Sequence, residues 1–74
     1  MNIDKPEFYD MVYITNRKLH PEWRYGQTVF NVMYDLYPEK ANKYRGSSID
    51  PFHNDDNVDE FIDACFDVEE PDYN

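Results

Sequence analysis

No lysine or arginine occurs after Arg45. Residues 46–74 hold ten carboxylates and no base, net −10, while residues 1–45 hold six acidic and seven basic residues, net +1, which together give the −9 of the chain. Phosphate binders need clustered Lys and Arg, so this balance argues against nucleic acid or anionic lipid as a direct partner. Cysteine is nearly absent as well: Cys65 stands alone, which excludes an intrachain disulfide. With only two glycines there is no glycine-rich phosphate loop. No apolar run approaches the roughly 18 residues of a membrane span. The opening "MNIDKPEFYD" lacks the basic segment and apolar stretch of a secretory signal, so the expectation is a reducing, cytoplasmic setting without membrane contact.

What the chain does have is length for one domain and an unusual density of rings. Seventy-four residues make a single unit, and a core that small nets only a few kcal/mol. The 41% apolar fraction is too high for a disordered chain. Seven Tyr, five Phe and one Trp are more rings than so small a fold can bury, and Tyr and Trp at a surface favour protein contacts.

The apolar spacing is helical throughout. Asp4-Lys5-Pro6-Glu7 reads as a capped helix start, followed by Phe8, Met11, Val12 and Leu19 on one stripe with Tyr9 and Tyr13 at its margin. Helix one is predicted over 5–19, ended by His20-Pro21. Pro21 suits the first position of helix two, over 21–37, where Trp23, Gly26, Phe30, Met33 and Tyr37 form one stripe and Val29, Val32 and Leu36 another. Gly26 inside that stripe costs about 1 kcal/mol against alanine, and marks a place where another backbone or a large ring packs closely. Pro38 ends that helix and starts a short one over 39–45, with Ala41 and Tyr44 inward and Gly46 as a left-handed stop. A polar connection follows, anchored by Ile49 and Phe52 and turned at Asp50-Pro51. The last helix spans 56–67. The expected fold is an all-α bundle of three main helices and one short one, a single domain over 1–68 with an acidic flexible tail at 69–74.

On the last helix Val58, Phe61, Ile62 and Cys65 make one apolar stripe, and Asp56, Asp59, Glu60, Asp63 and Asp67 lie opposite. Like charges one turn apart cost a few tenths of a kcal/mol per pair, where a lysine would gain as much. A calcium loop does not explain them. Aligning Asp55, Asn57 and Asp59 as ligands puts Glu60 at the glycine position and Phe66 where a bidentate Glu belongs. His53 beside Asp55 and Asp56 matches a solvated turn as well as a weak ion site, so no metal or other cofactor is expected. Two readings remain: a solvating face, or carboxylates aimed at a groove built for phosphates, with Glu69, Glu70 and Asp72 as steering charge.

Catalytic chemistry finds little support. Cys65 sits in an apolar stripe with no histidine placed beside it by sequence, and the paired carboxylates have no apolar surroundings to raise a pKa. Trp23, Arg24 and Tyr25 form a secondary candidate patch, since these residue types dominate interface hot spots. The alternative is structural: Arg24 and Gln27 bond the connection after Gly46, and Asn31 satisfies a neighbouring backbone.

One pattern extends over about residues 21–66: Arg24, Gly26, Gln27, Phe30 and Asn31, then Pro38, Ala41, Arg45 and Gly46, then Asp50, Pro51 and Phe52. It resembles an R-x-G-Q-x-x-F-N … R-G … D-P-F pattern in small uncharacterised proteins of bacteria and their phages. The resemblance implies a small intracellular prokaryotic or phage protein, placed in the host cytoplasm if phage-encoded, and carries no activity with it. Charge and composition lead to a non-enzymatic acidic protein whose partner is a basic or nucleic-acid-binding host protein. The alternative is a structural or accessory subunit, for example a homodimer, joined through surplus Tyr and Trp.

Overall fold

The computed structural model describes residues 3–67. Its elements are α1 (Lys5–Ile14) with a π-helical continuation (Thr15–Leu19), α2 (Tyr25–Leu36), α3 (Pro38–Tyr44), a 3-10 turn (Asp55–Asn57) and α4 (Val58–Asp67). The chain is an all-α bundle, and no strand occurs among the described residues.

The start of α1 is local chemistry. Asp4 has extended dihedrals, and its carboxylate accepts from the Glu7 amide at 2.9 Å, satisfying one of the free amides of the first turn. The helical run reaches Leu19 as its spacing predicts, but the last turn is wider than an α-turn: His20 N donates to Thr15 O at 2.8 Å. Asn16 holds this turn, because its side-chain amide donates to Trp23 O and to Thr28 Oγ1, both at 3.0 Å. The widened turn keeps Leu19 away from Phe8 and Val12. Leu19 is 65% exposed while those two are fully buried.

Helix α2 begins at Tyr25, four positions later than the proline rule suggests. Pro21 to Trp23 form a turn instead, closed by Trp23 N donating to His20 O at 3.1 Å. The Trp23 ring stacks on His20 with centroids 3.7 Å apart and planes 5° from parallel. Arg24 becomes the N-cap, and Gln27 Oε1 accepts from its amide at 3.4 Å. That is half of a capping box, for a guanidinium has no acceptor with which to return the bond.

Tyr37 leaves helical dihedrals before Pro38, and α3 ends at Tyr44, where extended Arg45 and Gly46 with φ +75°, the left-handed conformation only glycine adopts cheaply, form a turn closed by Ser47 N donating to Tyr44 O at 3.0 Å. Asp50 then folds the connection on itself. One carboxylate oxygen accepts from Gly46 N at 2.6 Å and the other from Phe52 N at 2.8 Å. Pro51 is fully buried, and is a deeper anchor than Ile49, which is only half-buried. The Asn54 side chain accepts from Asp56 N at 3.0 Å and starts the turn into α4.

The core joins Phe8 and Val12 of α1, Val29, Phe30, Val32 and Met33 of α2, Ala41 of α3, and Val58, Phe61, Ile62 and Cys65 of α4. Burying each large side chain is worth about 1.5–3 kcal/mol. Phe61 lies at its centre, 5.8 Å from Phe30 and 6.2 Å from Tyr44 between ring centroids. The apolar stripe of α4 is therefore the last wall of the core, which fixes where its carboxylates emerge.

Candidate functional site

With Val58, Phe61, Ile62 and Cys65 buried, the helical period carries Asp56, Asp59, Glu60 and Asp63 to the outer side, and all four are exposed. The four are not equivalent. Asp63 accepts from Lys5 Nζ at 2.6 Å, and Asp59 accepts from the Tyr9 hydroxyl at 3.0 Å. Both partners come from α1, which packs along that flank of α4. Among the described residues Asp56 and Glu60, on the other flank, have no side-chain partner. Asp67 ends α4 and belongs to the same helix; Glu69, Glu70 and Asp72 lie outside the described residues.

Asp55 has a different role. Its Oδ1 accepts from the Gly26 amide at 2.8 Å and lies 4.0 Å from Arg24 Nη2. Helix α2 has no acidic residue in its own first turn, so Asp55 brings a negative charge to its positive end from elsewhere in the chain. A Cβ on Gly26 would overlap the Pro51 carbonyl oxygen, so the close approach expected at this glycine is that of a backbone.

Two tyrosines complete the acidic surface. Burial, then the hydrogen bond to Asp59, pushes the Tyr9 hydroxyl up to about 12. Tyr25, 40% exposed, is also raised, first by burial and then by the charges of Asp59 and Asp55. Both hydroxyls keep their protons at neutral pH, and that of Tyr9 donates to Asp59. Sequence spacing places Tyr9 only at the margin of a stripe, and offers no signal at all for Tyr25.

The residues of the secondary patch, Trp23, Arg24 and Tyr25, have different surroundings. Trp23 is half-buried on His20 and lines a groove with Met11 and Leu36. Arg24 donates to His53 O at 2.6 Å and so ties the 46–54 connection to α2. Tyr25 turns towards Asp55 and Asp59.

Several residues of the R-x-G-Q … D-P-F pattern meet around the same connection. Arg24 bonds His53 O, Gly26 abuts Pro51, and Asp50 bonds Gly46 and Phe52. Phe30 meets the edge of Phe52 at 5.9 Å, and the Arg45 guanidinium lies 5.1 Å from the Phe30 ring centroid. Arg24 thus has the structural role open to it from the sequence, whereas Gln27 bonds the Arg24 amide of its own turn.

Three shallow clefts measure about 270, 240 and 210 Å³, under the roughly 300–1,000 Å³ of ordinary ligand pockets, and none is lined by the α4 carboxylates. Among the described residues no three His, Cys, Asp or Glu side chains converge as a metal site would require. Cys65 is fully buried, and burial pushes its thiol up to about 11. No helix among the described residues is long and apolar enough to cross a membrane. Comparison with protein-family models, curated proteins and solved structures found no match.

Proposed function

We propose that this is a small acidic binding protein without catalytic activity, which occupies a basic or nucleic-acid-handling surface of another protein. In the phage setting that the sequence pattern implies, the target is a host protein, and the action is that of an inhibitor or nucleic-acid mimic directed at a defence or DNA-processing system. The observation that carries this reading is the unmatched pair Asp56, in the turn entering α4, and Glu60, on α4, exposed beside Asp59 and Asp63, whose partners among the described residues are one tyrosine and one lysine. Carboxylates repeated along a helix set a one-signed field that speeds capture of a cationic groove. Tyr25, beside them, adds an aromatic face for a lysine or arginine of the partner.

The non-catalytic part of the proposal is supported by Cys65, whose protonated thiol in the core is a poor nucleophile. A second reading, a structural or accessory subunit, is favoured by the exposure of Tyr13, Tyr25 and Tyr34 at 59%, 40% and 42%. Capture from a host lysate at two salt concentrations separates the two. The first reading expects a partner that is released as salt rises and is lost when Asp56, Asp59, Glu60, Asp63 and Asp67 become amides. Capture indifferent to both salt and those amides would refute it.

A further inference from the structure

Among the described residues, three of the five exposed large hydrophobic side chains fall within seven positions of one another: Tyr13 at 59%, Ile14 at 51% and Leu19 at 65%. They lie on the outer side of α1 and its π-helical continuation, whereas Phe8, Tyr9 and Lys5 face the core and α4. A shallow cleft of about 240 Å³ opens beside Leu19, towards Leu36 and away from Tyr13 and Ile14. A single exposed leucine is ordinary, but three large apolar side chains exposed on one short stretch of a surface this polar call for a cover.

The charges around the strip say what that cover is. Asp10 lies one turn before Ile14, and Arg17 and Lys18 lie one turn after it. All three are exposed, and among the described residues none has an ion-pair partner. Arg17 is held in place by its Nη1 donating to the Tyr13 hydroxyl at 3.1 Å, with its guanidinium 5.3 Å from the Tyr13 ring centroid. Acid therefore sits about 6 Å before Ile14, and the two bases sit three and four positions after it along the wider turn. Two such helices in antiparallel contact, crossing at Ile14, bring Asp10 of each against Arg17 and Lys18 of the other. A parallel pairing would set like charges together.

We infer that the outer face of α1 is a self-complementary docking surface for a second copy of this chain, arranged antiparallel about a two-fold axis at Ile14. Such an isologous contact repeats every favourable pair twice and closes as a dimer. The inference does not rest on the acidic-face reading, and it gives a homodimer a surface other than Trp23. Since α4 packs on the other side of α1, the dimer leaves both carboxylate faces open. It would engage a two-site partner bivalently.

Sedimentation equilibrium of the full chain tests this, with circular dichroism to verify helicity. The wild type is expected at twice the chain mass. Ile14→Glu, an exposed substitution that leaves the core intact, is expected to weaken self-association by on the order of a hundredfold. Asp10→Lys alone, and Arg17→Glu with Lys18→Glu, are each expected to weaken it by about tenfold. Mixing those two charge variants is expected to restore a dimer, because the heterodimer recovers opposite charges at both contacts. A monomer at every concentration would overturn the inference and leave the strip to a different protein. So would a dimer that is broken by Trp23→Ala but tolerates Ile14→Glu, or charge variants that fail to complement.

Discussion

The Asp55 carboxylate accepts the Gly26 amide at 2.8 Å, joining the first turn of α2 to the loop before α4 across 29 positions of sequence. Pro51 presses its carbonyl oxygen on the same glycine. The two contacts lock the 46–54 connection over the end of α2, and from there set the direction in which α4 leaves. Gly26→Ala gains roughly 1 kcal/mol of helix propensity but must displace backbone. The expected net loss is about 1–3 kcal/mol. Asp55→Ala, which leaves the amide without its charged acceptor, is expected to cost about 1–2 kcal/mol, and Asp55→Asn less. Urea unfolding followed by circular dichroism measures all three. A Gly26→Ala variant more stable than wild type would contradict the close approach.

Alkaline conditions should destabilise the fold in two overlapping steps. Cys65 is raised from an ordinary value near 9 to about 11, and Tyr9 from near 10 to about 12. In each case the folded state holds the proton more tightly than the unfolded one. The contribution is therefore complete below the unfolded pKa and is lost as pH rises through the folded value. Stability is expected to fall from about pH 9, with a further loss continuing to about pH 12. Tyr9→Phe should flatten the upper part of that decline and Cys65→Ala the lower part, in melting temperatures taken across the range. An unchanged slope in Tyr9→Phe would show that folding does not raise the pKa of Tyr9.

Asp56, in the turn entering α4, and Asp59, Glu60 and Asp63, on α4, should divide into two pairs. Lys5 and Tyr9 already engage Asp63 and Asp59, while Asp56 and Glu60 are open. If the helix captures a basic partner, Asp56→Asn and Glu60→Gln should each weaken capture more than Asp59→Asn or Asp63→Asn. Lys5→Gln should strengthen it by freeing Asp63. Loss of Lys5 should cost the fold under about 1 kcal/mol, since the ion pair is exposed. Equal effects from all four carboxylates in a titration with the captured partner would remove this distinction.

Cys65 should react slowly with a thiol reagent at neutral pH in the folded protein and rapidly once denatured. Its side chain is fully buried and its thiol protonated. Cys65→Ser places a hydroxyl in the same apolar surroundings and is expected to cost about 1–3 kcal/mol. Fast native labelling would mean that α4 opens readily from Phe61 and Ile62.

The site was legible in the sequence as a face but not as a set of partners. The period of Val58, Phe61, Ile62 and Cys65 is enough to place the α4 carboxylates opposite the core. Nothing in that period distinguishes Asp63 from Glu60. The difference is made by Lys5, 58 positions away, and no local pattern links the two. Tyr25 joins the site for the same kind of reason, through the approach of Asp55 and Asp59 to the start of α2.

What the sequence determined by itself is what one turn of helix can decide. Asp4 capping Glu7, the break before Pro38, the left-handed Gly46 and the four apolar stripes are settled by residues a few positions apart. The charge asymmetry about Arg45 belongs there too, since it needs only counting. Tertiary structure decided the wide turn after Ile14, which rests on Asn16 reaching Trp23 and Thr28, and with it the exposure of Leu19. It also decided that α2 starts at Tyr25, that Gly26 faces a backbone, and that half of the described acidic face is matched. Hydrogen bonds within a turn follow from backbone dihedrals that local residues set, whereas these bonds exist only once the helices are packed at a particular offset.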